Sequence, residues 1–469
     1  MAGLLVSAAH KSSGKTTVSI GLCAALTAQG SVVQTYKKGP DYIDPMWLAL
    51  ATKRPCFNLD AWLMDDAAMV DCYARQQQGA DLALVEGNKG LYDGLALDGS
   101  NSNAALATRL GLPVLLVIDA RGMTRGIAPL ILGYQAFDKN IRIGGVVLNR
   151  VGGSRHEAKL RAVIEHYTDV PVLGAVAEDP QLAMTERHLG LMPCAEVADA
   201  RERVQTIGRI VGGQVDLDAV RRLAQTAAPL HGVPAPAAAP RRCDLRIGIA
   251  RDRAFGFYYA DDLAALQAAG AELVPIDTLH DAQLPAIDGL FIGGGFPETC
   301  MDELQSNVAL RSALRSAIQA GLPTYAECGG LMYLSRSITW RGRTAAMVGA
   351  IPGDAVMHPR PVGRGYVQLQ STGDAPWGSA GEAVRGHEFH HSSLHNLDSG
   401  VRFAYRVQRG QGVDGLHDGL RVHQVLASYT HLRSGAGSSW APRFVEWVRQ
   451  LRAARAPGQL EAAHAACVP

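Results

Sequence analysis

The sequence predicts an α/β fold in which two doubly wound domains follow one another along the chain. Short aliphatic runs alternate with longer amphipathic stretches, as expected for buried parallel strands connected by helices. The chain has 469 residues, which is too long for one ordinary core and suits two domains. A stretch rich in proline and alanine separates the two series of strands and helices, and we interpret it as a linker.

The first predicted domain covers residues 1–227. Its aliphatic runs are typical of parallel strands that are covered by helices on both faces. In an open parallel sheet, the loops after the carboxyl ends of the strands share one crevice, and ligands bind there. The predicted strands are Leu4–Ala8, Ser31–Tyr36, Leu82–Glu86, Val114–Asp119 and Gly145–Asn149.

The loop after the first strand has the pattern of a phosphate-binding loop. It runs Ala9-His10-Lys11-Ser12-Ser13-Gly14-Lys15-Thr16-Thr17 and opens a predicted helix. In this context backbone N–H groups hold phosphate oxygens, the lysine offsets their charge, and the Thr16 hydroxyl can ligate Mg²⁺. Ala9 replaces the usual first glycine, which is tolerated if its φ stays negative. The predicted ATP-binding residues of this loop are Ser13, Gly14, Lys15, Thr16 and Thr17.

Acidic side chains follow the next two predicted strands. Asp41 and Asp44 come after the second strand, and Glu86 ends the third. Because Mg²⁺ prefers one or two carboxylates with phosphate and water, we predict Thr16, Asp41, Asp44 and Glu86 as its ligands. A simple capping role in the turn before Pro45 is the alternative for the two aspartates.

Asn149 ends the fifth predicted strand and is also assigned to the ATP site. Two interpretations of this side chain remain open. It could hydrogen-bond an adenine edge, or it could cap the end of its own strand.

The second predicted domain covers residues 244–452. It follows a linker at 228–243 and precedes a loose tail at 453–469, because both flanking stretches are made of small residues and prolines that build no core. The predicted strands are Leu245–Ala250, Gly289–Ile292, Pro323–Ala326 and Val425–Tyr429.

A nucleophile is predicted at Cys328, in the turn Tyr325-Ala326-Glu327-Cys328-Gly329-Gly330. A cysteine between a strand and a helix is exposed at the sheet edge, and the helix N-terminus is expected to favour its thiolate. The loop that begins Gly293-Gly294-Gly295 follows another strand and can donate N–H groups to an oxyanion, with Gly294, Gly295 and Gly329 as the predicted donors. His431, after the last strand, is the predicted base.

A second polar cluster contains residue types that bind metals. It runs Gly386-His387-Glu388-Phe389-His390-His391-Ser392. As a strand it would place His387, Phe389 and His391 on one face and Glu388 and His390 on the other, which is unsuited to a shared metal. The spacing is also not that of a HExxH helix. These side chains are therefore expected either near the second site or in a structural role.

Composition excludes several classes of function. The formal charge is +1, from 45 basic and 44 acidic residues, and no long run of either sign predicts binding to nucleic acid or to an anionic membrane. The eight cysteines are scattered without a zinc spacing, which suggests reduced thiols and a cytoplasmic protein. Neither a signal peptide nor a membrane span is predicted. Small molecules are the expected partners, and a homodimer is the one protein assembly considered.

The two sites together predict an ATP-driven ligase that takes ammonia from glutamine. The first site can activate a carboxylate by phosphorylation, and the second can hydrolyse an amide through a thioester. A nucleotide-dependent regulatory or maturation protein is the alternative from another class, but it would not need Cys328, the glycine loop and His431. A carboxylating ligase would not need the second site either.

The chain resembles the cobyrinate a,c-diamide synthase family, in which a dethiobiotin-synthetase-like ATPase domain precedes a flavodoxin-like class I glutamine amidotransferase domain. This resemblance implies that ATP phosphorylates acetate side chains of a tetrapyrrole and that ammonia released at Cys328 attacks each acyl phosphate. It also implies Mg²⁺ at Asp41, Asp44 and Glu86, and a Cys328–His431 pair without the distal glutamate of other class I amidotransferases. The matching segments are SSGKTT, KKGPDYIDP, VEGNKGLYDG, VIDARGMTRG, GVVLNRVGGSRH, RHLGL, GGGFPE, YAECGGLMYL, RGHEFHHS and LASYTHL.

The chain departs from the family pattern in two places, and the second of them leaves the acceptor open. The last motif ends His431-Leu432-Arg433, where the family commonly has HLH, so we expect the orientation of the histidine to be set differently. The segment 357–366 carries extra basic residues that resemble those of relatives acting on sirohaem or sirohydrochlorin. A corrinoid is therefore one expected acceptor and a sirohaem-type ring the other. The predicted acceptor contacts are Lys38, Tyr42, Arg360 and Arg364.

Overall fold

The computed structural model describes residues 2–187, 190–230, 243–435 and 439–465. The chain divides into two compact units, Met1–Pro236 and Ala237–Pro469. Most of the predicted linker, at 231–242, lies outside the described residues.

The first unit is built around a seven-stranded sheet in which every paired strand is parallel. In chain order it contains β1 (Gly3–Ala8), α1 (Lys15–Ala28), β2 (Val33–Lys38), α2 (Ile43–Thr52), β3 (Phe57–Leu59), α3 (Asp66–Gln76), β4 (Leu82–Glu86), α4 (Asn103–Arg109), β5 (Val114–Asp119), α5 (Ile127–Phe137), β6 (Ile143–Val151), α6 (Ser154–Tyr167), β7 (Val172–Ala177), the short strands β8 (Glu186–Arg187) and β9 (Gly190–Leu191), α7 (Ala200–Gly212) and α8 (Leu217–Gln225).

The strand order is β3-β2-β4-β1-β5-β6-β7, which places β1 between β4 and β5. Every residue of β1 and β4 is buried, as expected for strands covered on both faces. Small residues let helices approach closely: a Cβ on Gly21 of α1 would lie 2.5 Å from Val211 of α7. The loops after β1, β2 and β4 consequently meet at one edge of the sheet.

The second unit contains a mixed nine-stranded sheet of order β12-β10-β13-β15-β24-β23-β22-β19-β20, a four-stranded sheet of order β17-β16-β18-β21, and the pair β11-β14. Its elements are β10 (Leu245–Ala250), β11 (Phe255–Phe257), α9 (Ala260–Ala268), β12 (Ala271–Ile276), β13 (Gly289–Ile292), β14 (Gly294–Gly295), α10 (Met301–Ser306), α11 (Val308–Gln319), β15 (Thr324–Glu327), α12 (Gly329–Leu334), β16 (Ser337–Trp340), β17 (Arg343–Ala346), β18 (Asp354–Met357), β19 (Gly363–Ser371), β20 (Ala383–His390), β21 (Ser392–His395), β22 (Arg402–Arg409), β23 (His417–Val422), β24 (Val425–Ser428) and α13 (Trp440–Ala465).

Alternate residues of the parallel strands supply two hydrophobic cores. Leu290 and Ile292 of β13 belong to one cluster, whereas Phe291 belongs to the other. Phe291 stacks on Tyr325 of β15 with ring centroids 5.3 Å apart, and Trp440 of α13 packs on both rings. Aromatic packing therefore fixes the strand end that leads to Cys328.

The predicted α/β class is confirmed, and each predicted strand overlaps an observed one, although the parallel strands β3, β7 and β12 were not predicted. The polar cluster in β20 had been interpreted as a strand. The other strands from β16 to β23 were not predicted, because polar residues interrupt their apolar runs. Helix α13 continues to Ala465, whereas the sequence predicted a loose tail from residue 453. Residues 466–469 of the predicted tail lie outside the described part of the chain.

No helix in the described part of the chain has the length and hydropathy that crossing a membrane requires.

Candidate active sites

The predicted phosphate-binding loop joins β1 to α1. Gly14 adopts the left-handed conformation with φ of 81°, and the helix begins at Lys15. The Asn149 side chain donates from Nδ2 to the Ser13 carbonyl over 2.9 Å, and a Cβ on Gly14 would lie 2.0 Å from the same nitrogen. Asn149 therefore supports the loop, a role that neither sequence interpretation had anticipated. The replacement at Ala9 is tolerated because this residue is not among the described positions with positive φ.

A buried lysine gathers the predicted metal-binding carboxylates. Lys37 Nζ lies 2.5 Å from Asp44 Oδ2 and 2.8 Å from Glu86 Oε1, and the lysine is 2% exposed. The Thr16 hydroxyl donates to the same Glu86 oxygen over 2.7 Å and lies 3.3 Å from Asp44. The sequence interpretation missed Lys37 as the centre of this cluster. The signal was available, since the residue ends a buried strand that faces the phosphate-binding loop.

Asp41 and Asp44 have different environments. Asp41 Oδ1 accepts from the N–H groups of Ile43 and Asp44, at 2.9 and 3.1 Å, so the turn-capping interpretation describes Asp41 well. Desolvation, followed by repulsion from Asp44, raises the pKa of Asp41 to about 7. Burial alone would also raise the pKa of Asp44, but the contact with Lys37 lowers it. Asp44 is therefore the more strongly ionised of the two carboxyls.

The oxygen atoms of this cleft fit a hard cation. Glu86 Oε2 is buried without a hydrogen-bond partner among the described residues, and Thr16 and Asp44 present further oxygens beside it. No group of three His, Cys, Asp or Glu side chains within the described ranges forms a complete metal cage. An incomplete set is what Mg²⁺ uses when phosphate and water supply its remaining ligands. The same result gives the histidine cluster at 387–391 no support as a metal site.

The four predicted acceptor contacts fall into two pairs on different units. Lys38 is buried and donates to Asn88 Oδ1 and Asn101 Oδ1, each over 3.2 Å. Burial lowers the pKa of Lys38 to about 8. Tyr42 lies at the start of α2, beside the carboxylate cluster. Arg360 and Arg364 are exposed on the second unit, where the Arg364 guanidinium lies over a phenyl ring.

Cys328 forms a sharp elbow between β15 and α12. Its backbone has φ of 47° and ψ of −100°, a conformation that is unfavourable for a side chain with a Cβ. The Cys328 N–H donates to the Ser428 carbonyl of β24 over 2.7 Å, which anchors the elbow to the sheet. A Cβ on Gly330 would lie 2.3 Å from the Ile292 carbonyl, so the turn into α12 requires a glycine there.

The thiol of Cys328 is not pre-ionised. Burial raises its pKa well above the ordinary value, and the nearby Glu298 carboxylate adds to the effect. The Gly329 N–H at the start of α12 lowers this pKa, as expected for a helix N-terminus, but desolvation outweighs its effect. A base must remove the thiol proton when the nucleophile attacks.

The predicted oxyanion loop lies against the elbow. Gly294 and Gly295 form β14, which pairs with β11, and a Cβ on Gly329 would lie 2.9 Å from the Gly295 nitrogen. A Cβ on Gly294 would lie 2.6 Å from Cε1 of His431. The structure therefore brings these three glycines together with Cys328 and His431, as the sequence predicted.

His431 is held by a second histidine from the polar cluster. His387 of β20 and His431 exchange both backbone hydrogen bonds, at 3.1 and 2.8 Å, and their rings stack with centroids 4.9 Å apart. His387 Nδ1 also lies 3.1 Å from the hydroxyl of Tyr259. Burial, followed by the charges of His431 and Arg433, lowers the pKa of His387 far below its usual range. His387 is therefore a neutral neighbour of the predicted base.

The other acid of the polar cluster has a structural role. Glu388 is buried, and its carboxylate accepts from the N–H groups of Gln411 and Gly412 at 2.6 and 2.9 Å. The alternation predicted for this strand is observed, because His387 and Glu388 contact different parts of the unit.

A carboxylate that the sequence interpretation had given no role contacts the predicted base. Glu327 Oε2 lies 3.2 Å from His431 Nδ1, and both side chains are buried. The resemblance implied a Cys–His pair without the usual distal glutamate, and the structure places an acid from another position beside the histidine. Its position at the end of β15, next to β24, was the available signal.

Arg433, the departure in the last motif, lies behind the histidines. It is 1% exposed, its Nε donates to Asp261 Oδ2 over 2.7 Å, and its guanidinium lies 5.3 Å from the centre of the Tyr259 ring. Tyr259 in turn contacts His387, which stacks on His431. Arg433 therefore supports His431 indirectly.

Comparison with known families assigns a domain type to each unit. Residues 2–186 match the AAA domain family, and residues 246–437 match the CobB/CobQ-like glutamine amidotransferase domain family. The two matches contain the phosphate-binding loop and the Cys328 elbow, respectively.

Similar proteins of known name extend along nearly the whole chain. A cobyrinate a,c-diamide synthase of Magnetococcus marinus is 46% identical over 95% of this chain and 97% of its own. Proteins of the same name from Methanosarcina acetivorans and Methanosarcina barkeri are 42% and 40% identical, over 97% and 96% of this chain and 97% of each relative.

Proposed function

The chain belongs to the cobyrinate a,c-diamide synthase family, and from this premise we propose that it uses ATP and glutamine to amidate the a and c acetate carboxylates of cobyrinate. The main observation behind the proposal is the presence of two separate sites. One is a phosphate-binding loop facing a carboxylate cluster, and the other is a cysteine elbow with a glycine loop and a buried histidine. An amide-forming ligase fed by glutamine requires both.

In the first unit, backbone N–H groups from Ser13 to Thr17 and the Lys15 ammonium bind the phosphates of ATP. An acetate oxygen of the acceptor attacks the γ-phosphorus, ADP leaves, and an acyl phosphate forms. Ammonia then attacks the acyl carbon and inorganic phosphate leaves, which gives the amide. Thr16, Asp44 and Glu86 would hold Mg²⁺, with Asp41 beside them, and Mg²⁺ would neutralise charge on the phosphate oxygens.

Acceptor recognition is assigned to four side chains, two in each unit. Lys38 is the best placed in the first unit, since it lies at the end of β2 next to the carboxylate cluster. Tyr42, Arg360 and Arg364 remain proposed contacts to peripheral carboxylates of the macrocycle.

In the second unit, Cys328 attacks the side-chain amide of glutamine. His431 takes the thiol proton and returns it to the leaving ammonia, while N–H groups of Gly294, Gly295 and Gly329 stabilise the oxyanion. Water then hydrolyses the thioester and releases glutamate. Internal delivery of the ammonia to the acyl phosphate completes the proposed reaction.

The alternatives have less support. The named relatives do not favour sirohaem or sirohydrochlorin as the acceptor, and a purely regulatory role leaves the second site without a purpose. We place the enzyme in the cytoplasm, in keeping with the scattered spacing of its cysteines, and we propose a homodimer as its assembly.

The test is to incubate the purified protein with Mg·ATP and glutamine, with cobyrinic acid or sirohaem in parallel reactions, and to follow products by mass spectrometry. We expect two successive amidations of cobyrinic acid and none of sirohaem. The control is Cys328→Ser, which should lose glutamine-supported amidation but retain amidation supported by ammonium salts. Amidation of sirohaem alone, or of neither compound, would contradict the proposal.

A further inference from the structure

We infer that Glu327 positions the catalytic histidine by holding the proton of His431 Nδ1, so that the triad takes its carboxylate from the residue directly before the nucleophile. The inference rests on the proposed glutamine hydrolysis and deepens it. It starts from the 3.2 Å contact between Glu327 Oε2 and His431 Nδ1, which is made between two buried side chains.

The other oxygen of this carboxylate is fixed by two donors. Glu327 Oε1 accepts from the Tyr325 hydroxyl over 2.6 Å and from the Leu432 N–H over 2.9 Å. Because Leu432 directly follows His431, one carboxylate holds both the ring and the backbone of the histidine segment. The carboxylate is therefore kept in a single orientation before substrate binds.

This contact decides which nitrogen of the histidine can act as the base. Neutral imidazole carries one proton, and a carboxylate at Nδ1 selects the tautomer with the proton on that nitrogen. Nε2, on the opposite side of the ring, is then the acceptor for the Cys328 proton. The same carboxylate stabilises the imidazolium that forms, as the aspartate does in Ser-His-Asp proteases.

Two other neighbours of His431, His387 and Arg433, make contacts of a different kind. His387, the titratable group that faces His431 from β20, contacts it through ring stacking and backbone hydrogen bonds. The cation in this region, Arg433, is paired with Asp261. Glu327, in contrast, places a carboxylate oxygen at a ring nitrogen of His431.

The position of Glu327 follows from the sheet. Strands β15 and β24 pair in parallel, with Glu327 opposite Ser428, three residues before His431. Alternation along β15 then directs Tyr325 and Glu327 to the same face. The nucleophile and its supporting acid are therefore consecutive residues, one in the strand and the other in the elbow.

The test compares Glu327→Gln with Glu272→Gln, the same change at an exposed carboxylate of β12. Gln can still accept from Tyr325 and Leu432, but its NH₂ group would face His431 Nδ1 and favour the wrong tautomer. We expect kcat for glutamine hydrolysis to fall by about 10²- to 10⁴-fold, with KM for glutamine within about threefold and ammonia-supported amidation unchanged. The matched control Glu272→Gln makes the same isosteric change at a side chain that contacts Arg246, and should stay within about threefold of wild type.

Glu327→Asp extends the test. Asp keeps the charge but is shorter by one methylene, so we expect a kcat between those of the wild type and Glu327→Gln. If Glu327→Gln fails to fold, an Asp variant with wild-type kcat overturns the inference. A folded Glu327→Gln variant with wild-type kcat also overturns it, as does a variant whose only defect is a raised KM.

Failure of the proposed function can be told apart from failure of this inference. Glutamine hydrolysis is assayed with and without cobyrinic acid, so a wild-type protein that consumes glutamine but does not amidate cobyrinic acid contradicts only the proposed acceptor. A wild-type protein that consumes no glutamine under any of these conditions overturns both.

Discussion

At the scale of single residues, buried charges are the main feature of the first site. Lys37 has 3% of its side chain exposed and Glu86 has none, so their attraction is little screened by water. Breaking such a pair leaves an uncompensated buried charge, which is costly even where the intact pair contributes little net stability. The effect on stability and the effect on catalysis should therefore appear together.

Lys37→Met should destabilise the protein and abolish amidation. We expect the free energy of unfolding to fall by about 3–5 kcal/mol, because Asp44 and Glu86 lose their shared cation. Denaturant unfolding and ammonia-supported amidation measure the two effects. Lys139→Met, at an exposed position, is the control and should change neither. Equal stability of the two variants would show that water reaches the cluster.

A second residue-scale prediction concerns pH and His387. The unfolded chain protonates this histidine near pH 6.5, whereas burial keeps it neutral in the folded protein. Unfolding then takes up a proton, so the free energy of unfolding should fall as pH drops below about 6.5, by up to about 1.4 kcal/mol per pH unit.

The variant His387→Gln removes this titration. Its free energy of unfolding is measured in urea at several pH values. Below pH about 6.5 this free energy should fall less steeply than that of the wild type, and above that pH the two should differ by a constant amount. Parallel curves over the whole range would mean that the native protein binds the proton as readily as the unfolded chain.

At the scale of elements, the phosphate-binding loop depends on a close fit with the end of β6. Gly14 and Gly30 both have positive φ, 81° and 89°, but only at Gly14 would a Cβ meet another atom, 2.0 Å from Asn149 Nδ2. A substitution at Gly30 therefore introduces backbone strain alone, whereas a substitution at Gly14 introduces both strain and a steric clash.

Gly14→Ala should abolish ATP binding, because the added methyl group displaces either the loop or Asn149. Gly30→Ala, the matched control, should cost about 1–2 kcal/mol of stability from left-handed strain and leave ATP affinity unchanged. Titration calorimetry and thermal melts measure these effects. Wild-type ATP affinity in Gly14→Ala would contradict the supporting role of Asn149.

The elements also show which features the sequence could predict. Strands such as β4 and β5 were predicted with the observed bounds because they are continuous apolar runs. The loops after them could be assigned to one crevice because parallel strand ends share an edge. The strand β19 could not be found in this way, since exposed residues interrupt the buried ones along it.

Contacts between particular side chains could also not be predicted from the sequence. Gly294, Cys328 and His431 could be grouped because each follows a strand of one sheet. The contact of Glu327 with His431 and the central place of Lys37 depend on strand order and side-chain direction, which the sequence does not specify. The same is true of Cys328, whose burial outweighs the effect of its position at a helix N-terminus.

At the scale of the whole molecule, each site is built from the residues of one unit. The ATP site uses residues before 236 and the glutaminase site residues after 237, in accordance with the division of the chain. Variants can therefore inactivate one half of the reaction at a time.

Mixing two such variants tests internal delivery of ammonia. Lys15→Ala should lose ATP use but keep glutamine hydrolysis, and Cys328→Ser should do the reverse. An equimolar mixture should recover only a few per cent or less of the wild-type rate, because ammonia released to solvent is diluted and protonated before it reaches the other chain. The measurement is amide formation at fixed glutamine, and full recovery would contradict internal delivery. Added ammonium salt should restore the mixture and so shows that its ATP site is competent.

The position of Lys37 has a consequence for how the first site responds to ions. Its ammonium already lies among the oxygens of Asp44 and Glu86, so the protein carries its own counterion there. The Lys37 ammonium offsets the repulsion between the two carboxylates during folding, so the site folds without a dissolved cation. A chelator should consequently stop catalysis while leaving the melting temperature unchanged. In this protein, the dependence of activity on divalent cations is separate from the dependence of folding on them.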